Sequence, residues 1–277
     1  MQSVSFERAA AFYDATRGYA PGSAERIRDA IVAQTGATVQ TRFLELGIGT
    51  GRIALPFLAA GFSYAGVDLS QAMLDVLLGK ASGWPRRPLL ARGDVLQLPF
   101  SDGSFDVILA VHVLHLVADW RATLREARRV LRPQGGHLLL AGDIGDDERE
   151  EVALASLPPP VQAQRVWKAT LKELGLTGHE GQPGVNSRDP LVRAALEDLG
   201  ATVEALDMTE YARPARSARD VVEGYRQRIY SADWARPEEL HHAALARMEH
   251  WLNAGCPEPE RPYPRSGRFR AVLATWG

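Results

Sequence analysis

Apolar residues in this chain recur in two rhythms. Residues 41–46 form an apolar run too short for a surface helix, while from Ile53 onward Ile53, Phe57 and Leu58 return at helical spacing, so the pattern predicts a strand, a tight turn and a helix. The alternation continues with strands expected at 64–68, 88–92 and 105–111, a helix over 120–130 with Leu124 and Ala127 as apolar positions, and a fifth strand at 136–141. Upstream, residues 5–19 place Phe6, Ala9, Ala10 and Tyr13 on one helical face before the break at Gly18-Tyr19-Ala20-Pro21-Gly22, and residues 25–35 form an amphipathic pattern that Gly36 ends. Strands alternating with helices predict a parallel sheet covered on both faces, with crevices at the strands' carboxyl ends.

Beyond Gly142 the rhythm changes. Asp143, Asp146, Asp147, Glu148, Glu150 and Glu151 cluster as metal ligands or, alternatively, as the solvated first turn of a helix. Helices are expected at 161–174, 190–199, 217–230 and 237–253, a glycine-rich loop at 175–184, a sixth strand at 201–209 and a last strand at 269–276. Trp167, Trp234, Trp251, Tyr225 and Tyr230 concentrate among the extra helices, where they either pack a small helical core or line a pocket. His241 and His242 are adjacent and would point about 100° apart on a helix, unsuited to one metal.

Candidate chemistry gathers at the first turn. Gly47, Gly49 and Gly51 separate strand from helix, which suits a ligand lying on bare main chain beside a helix N-terminus. In the dinucleotide pattern G-x-G-x-x-G the third glycine would come one place later, where Arg52 stands, so a nicotinamide cofactor fits less well. Asp68, seventeen residues after Gly51, closes the second strand, where an acid accepts from ribose hydroxyls; Asp94 closes the third. Both acids also suit simple loop capping.

The stretches Glu45-Leu46-Gly47-Ile48-Gly49-Thr50-Gly51, Val67-Asp68-Leu69-Ser70-Gln71-Ala72-Met73-Leu74, Gly93-Asp94-Val95-Leu96-Gln97-Leu98-Pro99-Phe100, Phe105-Asp106-Val107-Ile108 and Leu131-Arg132-Pro133-Gln134-Gly135-Gly136 occur in that order. In this the chain resembles the class I S-adenosylmethionine-dependent methyltransferases, and more narrowly the type 11 subgroup with the ubiquinone and menaquinone biosynthesis enzymes. The resemblance covers roughly residues 40–145. It implies a Rossmann-like α/β fold, a seven-stranded mostly parallel sheet with the last strand antiparallel, helices on both faces and helical lid insertions. The implied division is 1–145 for the N-terminal cap and cofactor-binding core, 146–185 for a helical insertion, 186–212 for a core helix and sixth strand, 213–264 for a second helical lid insertion and 265–277 for the last strand.

Carried over by position, the resemblance implies that Glu45 steadies the glycine loop and the methionine amino group, and that Gly47, Gly49 and Gly51 lie under the methionine and ribose. Asp68 takes the ribose hydroxyls, Leu69 and Met73 pack on the adenine, Asp94 accepts from its amino group, the Val95 N–H meets a ring nitrogen, and Ala110 and Val111 lie near the sulfonium. Tyr13, Arg17 and Tyr19 are the implied closing residues of the N-terminal segment, with Arg17 pairing with the methionine carboxylate. If the acceptor must lose a proton, His115 and His112 are the candidate bases, a hydrogen-bonded structural role being the alternative.

Charge changes this picture little. Lys and Arg total 32 against 34 Asp and Glu, and no basic block stands out, so a small-molecule acceptor is expected rather than a nucleic acid or membrane partner. Cys256 is the single cysteine, and Glu7 and Arg8 precede any apolar run, so the expected location is the cytoplasm. The sequence leaves oligomeric state open. The expected activity is transfer of a methyl group from S-adenosyl-L-methionine to an O, N or C nucleophile, with S-adenosyl-L-homocysteine as product. The alternatives are a protein that binds S-adenosylmethionine without transferring methyl, and a nicotinamide-dependent oxidoreductase.

Overall fold

A computed structural model of the chain describes residues 2–84, 86–145, 153–176 and 184–277. Its centre is β1 (Arg42–Leu46), where Phe43 pairs in parallel with Tyr64 of β2 (Ser63–Asp68) on one side and with Val107 of β4 (Val107–Val111) on the other. β3 (Leu89–Arg92) extends the sheet past β2 and β5 (His137–Gly145) past β4, both in parallel. β7 (Tyr263–Thr275) then inserts between β5 and β6 (Thr202–Arg216), giving the order β3-β2-β1-β4-β5-β7-β6 in a seven-stranded, mostly parallel Rossmann-like sheet. The strand order reverses between β1 and β4, and in open α/β sheets ligands bind at the carboxyl ends beside such a switch.

Strand alternation divides the core into two layers. Leu44 and Leu46 of β1 face one layer with Ile108, Ala110, Leu138 and Leu140, covered by Leu124 and Ala127 of α5 (Trp120–Val130) and Val192 and Leu196 of α7 (Pro190–Asp198). Phe43 faces the other with Tyr64 and Leu109, covered by Ile27 and Ile31 of α2 (Ser23–Thr35), Phe57 and Leu58 of α3 (Ala54–Ala59), and Leu74 and Leu77 of α4 (Gln71–Lys80). Phe43, Phe57, Phe62 and Tyr64 form one aromatic cluster, with Phe43 stacked on Tyr64 at 5.6 Å.

The N-terminal segment departs from the continuous helix expected over 5–19. It forms a 3-10 turn at Glu7–Ala9 and a separate short helix α1 (Tyr13–Arg17), neither with a side-chain cap, so nothing local holds the two together as one helix. β6 and β7 are longer than their apolar cores suggested, because the added residues, Tyr211 and Gly267 apart, are exposed or half-buried and form no apolar run. The acidic residues 146–151 lie outside the described residues, as does most of the 175–184 loop; among the described residues no group of three or more His, Cys, Asp or Glu is placed to hold a metal ion. No described helix is long and apolar enough to cross a membrane.

Contacts divide the chain into two compact units, Met1–Asp143 with Pro183–Tyr211 and Arg268–Gly277, and Ile144–Gln182 with Ala212–Gly267. In the second, α6 (Pro159–Glu173), α8 (Ala218–Arg226) and α9 (Glu238–Ala254) enclose Trp167, Leu171, Val221, Val222, Tyr225, Met248 and Leu252. A capping box starts α8: Ser217 Oγ accepts from the Asp220 N–H at 3.1 Å, and the Asp220 carboxylate accepts from the Ser217 N–H at 2.8 Å. Trp167 stacks on Tyr225 at 4.2 Å, so these two aromatics pack the helical core.

Beside that stack lies His241, 2% exposed. Its Nε2 donates to the Tyr225 carbonyl at 3.0 Å, which leaves Nδ1 as the bare nitrogen of a neutral ring. Burial, with the positive charges of Arg228 and Arg236, pushes the imidazole down to about 4. A depressed pKa means that the unfolded form takes up the proton first, so this contribution to stability is complete above about pH 6.5 and is lost as the pH falls toward 4. We expect the helical unit to lose roughly 2 kcal/mol between pH 7.5 and 5, read as faster amide exchange in α8 and α9 after correction for intrinsic rates. His241→Gln, which keeps a donor for Tyr225, should flatten that dependence. An equal loss in the variant would mean that another group carries it.

Candidate functional site

The turn after β1 folds back on β2 through the Gly47 and Ile48 N–H groups, both bonded to the Val67 carbonyl at 2.8 and 3.1 Å. Gly47, Gly49 and Gly51 all have positive φ, at 65°, 56° and 82°. Space separates their roles. A Cβ on Gly47 would lie 2.6 Å from Val113 Cγ2 and one on Gly51 2.3 Å from Leu77 Cδ1, so these two let protein pack against protein. A Cβ on Gly49 would reach only the Gly47 carbonyl oxygen and the Met73 methyl, both at 4.0 Å, so there is room over its bare backbone, and this is the part of the turn on which a ligand can lie.

Asp68, at the end of β2, accepts from the Gly49 N–H at 2.8 Å through Oδ2 and from the Ser70 N–H at 2.9 Å through Oδ1. Its carboxylate therefore stands against the open glycine and fixes two loops at once. Burial raises its pKa, opposed by those backbone N–H bonds. Ser70 in turn caps α4, accepting from the Met73 N–H at 3.1 Å. Met73 is fully buried with its methyl 4.0 Å from where a Gly49 Cβ would stand, whereas Leu69 is half-buried.

Glu45 lies one layer below. It is 3% exposed, Tyr64 donates its hydroxyl to Oε2 at 2.9 Å, and burial pushes its carboxyl up to about 8 despite that bond and the positive charge of Arg52. Tyr64 carries no motif signal; only its place within the aromatic cluster, stacked on Phe43, puts its hydroxyl under the acid. Since the folded pKa is raised above the ordinary 4.5, the folded state holds the proton longer and stability falls as the pH rises from 4.5 to 8. Glu45→Gln keeps an acceptor for Tyr64 and removes the titration. It should be the more stable protein at pH 8 by roughly 4 kcal/mol and nearly equal at pH 4.5, measured by urea unfolding at both values. A constant difference across that range would overturn the assignment.

At the end of β3, Asp94 accepts from the Leu96 N–H at 3.1 Å and from Ser3 Oγ at 3.2 Å, and Ser3 Oγ accepts from the Ala118 N–H at 3.1 Å. Val95 is buried beside it. The N-terminal segment thus runs across these loops: the Val4 N–H bonds to the Leu116 carbonyl at 2.8 Å and Glu7 accepts from the Ala72 N–H at 3.3 Å. Tyr13 meets Phe6 edge-on at 5.9 Å. Arg52 donates to the Arg17 carbonyl at 3.0 Å and lies over the Tyr19 ring at 4.6 Å, while Tyr19 packs edge-on against Tyr211. Of the three implied closing residues, then, Arg17 and Tyr19 reach the glycine turn through Arg52, and Tyr13 is held by Phe6.

Ala110 and Val111 are buried at the end of β4, Ala110 in register with Leu46. His112 follows with φ 56°, an uncommon value for a side chain other than glycine; its N–H bonds to the Ala141 carbonyl at 3.0 Å and its ring covers Gly142, with Cε1 3.4 Å from where a Cβ there would stand. His115 sits in the next turn, where its carbonyl accepts from Gly184 at 3.2 Å. Glu45, Gly49, Asp68, Asp94, Ala110 and His112 therefore share the carboxyl-end edge of adjacent parallel strands. That set brings together a buried acid, bare backbone, two loop-fixing carboxylates and an apolar wall.

Residues 44–139 match the family described as a methyltransferase domain. The demethylmenaquinone methyltransferase of Renibacterium salmoninarum is 34% identical over 142 residues, covering 50% of this chain and 57% of that protein. The 27-O-demethylrifamycin SV methyltransferase of Amycolatopsis mediterranei is 28% identical over 251 residues, covering 89% of this chain and 77% of that one. The solved structure of phosphoethanolamine N-methyltransferase 2 from Haemonchus contortus shares the fold at a TM-score of 0.55, with 16% identity over 98% of this chain and 57% of its own. The chain spans 6% and 7% of two highly reducing polyketide synthases that it also matches. Residues 44–139, which carry the glycine turn and the strands on either side of the switch point, thus match a methyltransferase domain.

Proposed function

We propose that this protein transfers the methyl group of S-adenosylmethionine to a nucleophilic atom of a small molecule. The observation that carries the reading is the Asp68 carboxylate bonded at 2.8 Å to Gly49, the glycine whose face is open. An acid that takes ribose hydroxyls and a backbone on which the rest of the ligand rests are there side by side. When bound, the cofactor supplies a methyl group already activated by its sulfonium. What remains for the chain is alignment, which is worth roughly 7–11 kcal/mol when reacting groups are held in line. Asp68 and Asp94 would fix the adenosine end, Glu45 and the glycine turn the amino acid end, and the buried Ala110 and Val111 would exclude water from the reacting centre. His112, or His115 in the next turn, is proposed to take a proton from an acceptor that must lose one.

The narrower likeness to quinone-pathway methyltransferases covers only half of this chain, so it is proposed for the cofactor-binding half and not for the acceptor. The rifamycin-methylating relative runs along 89% of the chain, helical insertions included, which makes a hydroxyl the first acceptor class to screen. We propose those insertions as the segments that choose the acceptor. Calorimetric titration with S-adenosylmethionine and S-adenosylhomocysteine should show one site for each and none for NAD. Folded protein that binds neither adenosyl ligand, or prefers NAD, overturns the reading.

A further inference from the structure

Most ties between the N-terminal segment and the loops below use backbone groups. One is built of charges. Asp14 of α1 accepts from Thr50 Oγ1 at 2.6 Å through Oδ1, and its Oδ2 lies 2.5 Å from Lys80 Nζ; the same ammonium donates to the Thr50 carbonyl at 2.8 Å. Carboxylate, ammonium and both polar groups of Thr50 thus close a ring joining the short N-terminal helix, the glycine turn and the last turn of α4. Thr50 is 1% exposed and stands between Gly49 and Gly51. Asp14 and Lys80 remain 43% and 30% exposed.

That division has a mechanical meaning. The held carbonyl fixes the Thr50–Gly51 peptide plane and the held hydroxyl ties the side chain to α1, so Thr50 has little freedom and the turn that carries Gly49 keeps its orientation. The charges that hold it are wet, so salt weakens their attraction while hardly touching the buried turn. Lys80 at a helix C-terminus also lies where a cation is favoured. Neither residue is placed to touch the adenosyl group; each acts through Thr50 and α1.

We propose that Asp14 and Lys80 are positioning residues for the cofactor site: their joint hold on Thr50 keeps α1 on the glycine turn and sets how fast the cofactor leaves. This rests on the cofactor reading above. The pairing is strong in geometry and weak in bulk, so release is sensitive to ionic strength although the ligand itself carries little net charge.

The test is stopped-flow release of S-adenosylhomocysteine from the wild type, Asp14→Ala, Lys80→Met and the double variant, at about 0.01 M and about 1 M salt, where the screening length falls from about 30 Å to about 3 Å. Each single variant is expected to release the ligand about tenfold faster at low salt, and the double variant no faster than the singles, because the residues act as one unit. Salt should speed release from the wild type and leave the variants unchanged. Thermal melts identify a variant that has lost its fold, and amide exchange over residues 12–18 without ligand should be faster in Asp14→Ala than in the wild type. Wild type that binds while both variants release within twofold of it, salt dependence intact, overturns the proposal alone. A wild type that binds no S-adenosylhomocysteine overturns the cofactor reading and this inference with it.

Discussion

Asp68→Ala is expected to weaken S-adenosylmethionine and S-adenosylhomocysteine binding at least a hundredfold. Two losses combine. The proposed bonds from the ribose hydroxyls to an ionised carboxylate contribute about 1.5–3 kcal/mol each, so about 3 kcal/mol or more disappears with the side chain, which is over two decades in affinity. The substitution also strips the Gly49 and Ser70 N–H groups of their acceptors, bonded at 2.8 and 2.9 Å, so the turn and the start of α4 lose the group that joins them. Asp68→Asn separates the two contributions. Both carboxylate oxygens accept from backbone N–H groups, and an amide must turn its NH2 against one of them, so the asparagine variant should fall between alanine and wild type. Calorimetric affinities with thermal melts decide the matter: an alanine variant that binds within tenfold of wild type would leave Asp68 as a loop cap only.

The strand-and-helix frame was readable from sequence because its signals are local. An apolar run with a glycine turn and a returning helical period needs only neighbouring residues to be recognised, and Asp68 and Asp94 announce themselves by closing strands. Contacts across distance left no such trace. Tyr64 beneath Glu45 looks like one more aromatic in a buried strand, and Ser3 on Asp94 spans 91 residues with no spacing rule to suggest it. Lys80 reads as the polar end of a helix, and its bond to Thr50 bridges 30 residues. The break within residues 5–19 escaped for a related reason: helical periodicity was present, but its stability depended on caps that the segment lacks. Trp167 and Tyr225 were ambiguous until their partners were seen, since helical spacing does not tell a packed aromatic from a pocket wall.

The three glycines looked equivalent in sequence, and the structure separates them into an expected result of opposite kinds. Gly51→Ala should damage the fold. Its φ of 82° is poorly tolerated by any side chain, and the new methyl would lie 2.3 Å from Leu77 Cδ1 and 3.2 Å from Leu55 Cγ; Leu77 is wholly buried, so it has nowhere to retreat without disturbing the layer beneath α4. Left-handed strain of about 1–2 kcal/mol and overpacking of about 1–3 kcal/mol add to a loss that should lower the melting temperature by about 10 °C for a chain of this size. Leu77→Ala in the same molecule should restore part of it, because it removes the atoms that clash. Gly49→Ala should instead leave the fold nearly intact, with a shift of only about 2–4 °C from backbone strain, since its Cβ clashes with nothing and touches only the Gly47 carbonyl oxygen and the Met73 methyl at 4.0 Å. Its cost should appear in binding, as a tenfold or greater loss of affinity for both adenosyl ligands, because the methyl would stand on the surface where they are proposed to rest. Unimpaired binding by Gly49→Ala would move the ligand off this turn; a fold as stable with alanine at 51 as with glycine would show that Leu77 yields more readily than its burial implies.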